Sequence, residues 1–243
     1  MINYDEMSRK KTAITSGLLI AVISITIWLF LVLKFLIFII KGWNNIHNNP
    51  YTFMSLEILP VIPVVLLSFC VFLIIQCITM LSNSDCNIFN KTGNQFLMIF
   101  TVAFSFMHLI KHLLYSYANE SFMTENGIPS ILSHMEILVY GFLAVGGFFY
   151  YFSFRNKGHM MILKNLLFIN MLILSWGIIM ELLNKPYLII SISIFWFVIL
   201  PSIAIISIYH FIKEEYKRKK LLEIEIEYIE SGNLYSGIKN DTV

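Results

Sequence analysis

The sequence predicts an all-α integral membrane protein, a bundle of six transmembrane helices followed by a short C-terminal helix, and three observations carry that prediction. Hydrophobic residues make up 58% of the 243 positions and charged residues only 13%, about half the charged share of ordinary soluble domains. The apolar residues gather into six runs, each long enough to cross a hydrocarbon core of about 30 Å, which takes about 20 helical residues. Basic residues are spread unevenly over the connections. With the N-terminus cytoplasmic, thirteen of the 17 Lys and Arg lie inside, Lys41 and Lys185 lie outside, and Lys34 and Lys111 fall within spans. Such a bias sets orientation and predicts an N-in, C-in topology, and the composition is taken to fit a bacterial-type plasma membrane.

The expected layout is a cytoplasmic N-terminus at 1–12, a transmembrane domain at 13–212 and a cytoplasmic tail helix within 213–243. The first span covers 13–40; its apolar run is too long for a cleaved leader, so it is expected to stay as a helix. The second covers 58–81, with Pro60 and Pro63 in its first turns, where proline is tolerated. Cys70 and Cys77 lie seven apart on one face of it and read as packing residues. A polar, turn-rich segment at 82–94 precedes the third span, 96–118. The fourth span is 131–152, the fifth 161–183 and the sixth 187–212, with Pro201 expected to bend the last.

Beyond the sixth span, Lys213, Lys217, Arg218, Lys219 and Lys220 form a basic cluster that fits anionic lipid headgroups. The segment to Glu230 reads as a continuing helix that stops at Gly232. A cytoplasmic protein docking on 213–232 is the expected partner besides membrane lipid, and no nucleic-acid module is present.

One span carries polar groups that lipid does not tolerate. Thr101, Ser105, His108, His112, Tyr115 and Asn119 recur at steps of four and three, which predicts one helical stripe. Ionisable groups at membrane depth face a protein interior or a watery cavity and mark function by default. With the third and fourth spans antiparallel, Glu136 comes level with His112, and Tyr140 with His108. Lys111 stands beside the stripe, where it can pair with Glu136 or Glu181 or snorkel outward. His134 points away from Glu136 on its own helix and is left out. The candidate ligand-binding or proton-responsive set is therefore His108, Lys111, His112, Tyr115, Glu136 and Tyr140.

Several chemistries remain open for that set. His108 and His112, four apart, share a face, and with Glu136 they would give three metal ligands and an open position. The helix lacks the glutamate of a His-Glu-x-x-His motif, however. Haem ligation would need His134 to face His112. The plain alternative is a hydrogen-bonded packing interface, in which each polar contact contributes about 0.6 kcal/mol. No phosphate-binding glycine loop or nucleophile elbow appears, so no cofactor is implied and a non-enzymatic protein is expected.

Glu57 opening the second span, Phe72 within it, His112-Leu-Leu-Tyr115 closing the third and Glu136 early in the fourth carry a family resemblance. Over residues 52–150 the chain resembles the membrane-associated sensory domains at the N-termini of some bacterial diguanylate cyclases and sensor histidine kinases. The family's aspartate before the histidine is replaced by Leu109 or a neighbour. Ser116 stands where it has glycine, and no arginine precedes Glu136. The resemblance implies signal sensing through the bundle, with the tail helix as relay. A small transporter or transporter subunit is the alternative, and a metal-dependent intramembrane enzyme using His108, His112 and Glu136 is the third reading.

Overall fold

The computed structural model describes residues 4–42, 61–81, 88–117, 128–154, 158–183 and 187–240. All regular structure among them is helical: α1 Tyr4–Gly42, α2 Val61–Leu81, α3 Ile88–Tyr117, α4 Ile128–Ser153, α5 Gly158–Leu182 and α6 Leu188–Ile194, then a π-helical segment Phe195–Ile199 and α7 Leu200–Asn240. Six helices are long and apolar enough to cross a membrane, with α6, the π segment and the start of α7 forming the sixth. The chain is a multi-pass membrane protein.

Three boundaries differ from the sequence expectation. Helix α1 starts at Tyr4, inside the segment read as an N-terminal extension. Helix α3 begins at Ile88, so the turn-rich reading of 88–94 is wrong. Asn90, Lys91, Thr92 and Asn94 lengthen the helix below its apolar run, and the Asn94 side chain accepts a hydrogen bond from the Tyr150 hydroxyl on α4. Helix α7 passes through Gly232 to Asn240. A glycine inside a helix costs about 1 kcal/mol relative to alanine, which does not stop a helix whose chain keeps its direction.

The helices form a closed ring in chain order. Each packs on its neighbours, and α7 returns against α1 and also touches α2. Contacting residues run in opposite directions along adjacent helices: Phe89 meets Phe152, Phe96 meets Phe149 and Phe100 meets Tyr140 across α3 and α4. Trp28 and Gly17 likewise meet Trp196 and Phe211 across α1 and the sixth span. The end where α1 begins and α7 departs is the terminal end, and Lys111 and Glu136 belong to the far end.

Lipid tails are as apolar as leucine, so packing density rather than burial from water holds such a ring together. Leu67, Ile74 and Ile78 of α2, Phe100 and Phe104 of α3, Leu174 of α5 and Phe211 of α7 are fully enclosed. The Phe211 ring lies where a Cβ on Gly17 would stand, so α1 and α7 close only over a glycine. A Cβ on Gly147 would come 3.0 Å from the Leu167 carbonyl oxygen, and one on Gly146 would face the α3 backbone at Gly93 and Leu97. Helices approach closely at these two glycines, whereas a Cβ on Gly141 would meet only the Ile178 side chain at 4.0 Å. Cys70 and Cys77 are buried with free thiols, as packing residues should be.

Candidate functional site

The inward face of α3 runs through Leu97, Phe100, Phe104 and Met107, all buried. The next turn along that face holds Lys111, whose ammonium forms an ion pair with the Glu136 carboxylate of α4. Glu136 follows buried Leu132 by one turn and precedes buried Tyr140 by another, so it too lies on a packing face. The two side chains are 20% and 23% exposed. An isolated charge at membrane depth is expensive; opposite charges in contact compensate each other, and removing one strands the other. The choice open in the sequence between Glu136 and Glu181 falls to Glu136.

One turn further into the ring, the Tyr140 hydroxyl accepts a hydrogen bond from the indole N–H of Trp196 at 2.9 Å. The backbone carbonyl of Trp196 in turn accepts the indole N–H of Trp28 at 3.0 Å. Phe104 packs between these groups, with its ring 5.3 Å from Trp196 and 4.3 Å from His108. Phe100 closes the layer against Tyr140 and Phe195, at 6.1 and 6.5 Å between ring centroids. A charge pair at the far end is thus continuous with an aromatic hub that α1, α3, α4 and the π segment build together.

The polar stripe of α3 is only partly inside. Thr101 is buried but donates to the Leu97 carbonyl at 2.9 Å, and Ser105 donates to the Thr101 carbonyl at 2.7 Å. Both hydroxyls bond back to their own helix, as they do in helix interiors. His108 is half-buried, whereas His112 is exposed on the bundle surface, contrary to the expected inward row. The reason is angular. The buried line through Leu97, Phe104 and Lys111 lies about 60° around the helix from Thr101, at about 100° per residue. The stripe flanks that line, and at His112 it has left the packed side.

Tyr115 lies in the last turns of α3 with its side chain outside the described residues, as are Glu57 and Asn119. His134 is exposed while Glu136 is not, which agrees with separating the two. Among the described residues no three His, Cys, Asp or Glu side chains come together. With His112 turned outward, the metal reading of His108, His112 and Glu136 has no assembled ligand set.

A second group of buried polar residues lies toward the terminal end. Tyr150 is enclosed and bonded to Asn94. Lys164 is buried with its ammonium 4.4 Å from the centre of the Tyr151 ring, a cation–π contact rather than a free surface charge. His210 is also buried, and Asn170 on α5 is 1% exposed with neither amide atom hydrogen-bonded among the described residues.

Trp28 and Trp196 are the site residues that sequence reasoning missed. A signal existed: membrane tryptophans concentrate at the two interfaces, yet these two sit in the middle of apolar runs, and one is five residues before Pro201. Comparison with protein-family models, curated proteins and solved structures finds no match.

Proposed function

We propose that this multi-pass membrane protein is a stand-alone, non-enzymatic sensory or ligand-responsive bundle of the plasma membrane, which passes a change at the Lys111–Glu136 pair to its C-terminal helix. One observation carries the reading. Glu136 of the pair lies one helical turn before Tyr140, Tyr140 is bonded to Trp196 and Trp196 to Trp28, and Trp196 belongs to the span that continues into α7, far beyond what a bilayer requires. An ion pair held by two helices is a two-position element: a ligand that competes for either charge changes the helix contact. The likeness to bacterial sensory domains points the same way, and the basic residues within α7 favour cytoplasmic termini under this reading. Residues 213–232 would then meet a cytoplasmic partner.

The test is a spin label at Leu221→Cys, an exposed position, in protein reconstituted into lipid nanodiscs with Cys70, Cys77 and Cys86 replaced by Ala. Glu136→Gln breaks the pair at nearly constant volume and should change the label's mobility or accessibility. An unchanged label in a normally inserted variant contradicts the proposal.

Transport of a polar solute or proton is the second reading. It draws on polar groups paired toward both ends of the ring, Asn94 and Tyr150 at one and Lys111 and Glu136 at the other, with the Phe100, Phe104 and Phe195 layer between. Proton flux into dye-loaded proteoliposomes that is lost in Glu136→Gln would favour it.

A further inference from the structure

The sixth span changes register at its middle, and the chain's own chemistry explains where. The Phe195 N–H bonds to Ser191 O and Ile192 O, the spacing of ordinary and slightly tightened α-helix. The Leu200 N–H instead reaches Phe195 O, five residues back. In α geometry it would take Trp196 O, four back. Pro201 follows with no N–H to offer. The Trp196 carbonyl is therefore passed over by its own helix, and the indole N–H of Trp28 from α1 takes it at 3.0 Å. Trp28 Nε1–H thus holds the oxygen that Leu200 N–H would address in an α register.

Trp196 is held from the other side as well, since its indole N–H donates to Tyr140, one turn from Glu136 on α4. Converting the π turn to α would hand Trp196 O to Leu200 and release Trp28. It would also turn α6 relative to α7 by one residue, about 100° and 1.5 Å. The exchange gives Leu200 a new acceptor but takes Trp28 from its own and sets Pro201 against the Phe197 carbonyl, so the π state is favoured while Trp28 holds it. Single π turns inside α-helices occur frequently at functional sites.

We propose that the π segment Phe195–Ile199 is a two-state register joint: Trp28 and Tyr140 hold it in the π state, and loss of the Lys111–Glu136 pair lets it anneal to α and rotate α7 against α6. This rests on the sensory reading and supplies its moving part. Trp28 and Trp196 act as positioning residues for that motion.

The experiment measures the distance between spin labels at Ile189→Cys and Ile205→Cys, exposed positions on either side of the segment, by pulsed EPR in nanodiscs on the same cysteine-free background. Trp28→Phe, which removes the indole donor to Trp196 O while keeping an aromatic ring, should add a second distance population displaced by several ångströms. Pro201→Ala, which restores the missing N–H, should populate the same second distance and serves if Trp28→Phe inserts poorly. Glu136→Gln should populate it too. An unchanged Ile189–Ile205 distance in all three variants overturns the joint. If Glu136→Gln moves the Leu221 label while that distance stays fixed, the sensory reading stands and the joint is wrong. A shift under Trp28→Phe but not under Glu136→Gln overturns the coupling to the site.

Discussion

The two ends of the α3–α4 seam solve the same problem differently. Toward the terminal end a neutral pair, Asn94 with Tyr150, is sealed beneath Phe154, whose ring stacks on Tyr150 with centroids 5.4 Å apart. Toward the far end a charged pair, Lys111 with Glu136, stays about one-fifth exposed. A neutral hydrogen bond fixes helix register and contributes modestly whatever the conditions. A charge pair contributes while both partners are present and becomes a liability when one is neutralised or drawn away. The first is suited to holding two helices together, and the second to changing how they are held.

Each half of that contrast can be broken. Glu136→Gln should have the largest effect, about 3 kcal/mol of stability, because it leaves the Lys111 ammonium without its partner among packed helices; unfolding in mixed micelles measures it. Gly17→Ala comes next, at about 2 kcal/mol, since overpacking of this kind costs about 1–3 kcal/mol and the Phe211 ring already fills the space. The double variant Gly17→Ala, Phe211→Leu should recover most of the loss. Tyr150→Phe removes only the Asn94 bond and should cost about 0.6 kcal/mol in the same assay, with no effect on the Leu221 tail label. A tail response to Tyr150→Phe would erase the distinction between the two ends. Thr101→Val should be smallest, below about 0.5 kcal/mol, because that hydroxyl serves only its own helix.

Much of the bundle was legible in the sequence because lipid imposes it: apolar run length and helical rise locate six spans whatever their packing. The level of Lys111, Glu136 and Tyr140 was legible for the same reason, since depth follows from residue count along antiparallel helices. Which flank of a helix turns inward does not follow from periodicity when both flanks are tolerable. Thr101, Ser105 and His112 make a regular stripe, yet the packed line runs beside it through Phe104 and Lys111. In soluble proteins the apolar face marks the inside; in a membrane the apolar face serves lipid as well as core, so the pattern loses its sign. The start of α3 was missed because Asn90 and Asn94 resemble loop residues until Tyr150 is seen to satisfy Asn94. The π turn needed three facts at once: Pro201, Trp196 five residues before it, and a donor from α1. The first two are local, and the third is not.

The claim beneath all of this is that Lys111 and Glu136 act as one interacting pair inside the ring. A double-mutant cycle of Lys111→Met and Glu136→Gln, followed by equilibrium unfolding in mixed micelles, measures that interaction directly. The predicted result is a coupling energy of at least about 1 kcal/mol, with the double variant more stable than Glu136→Gln alone. Additive losses, with no coupling between the two sites, would contradict it.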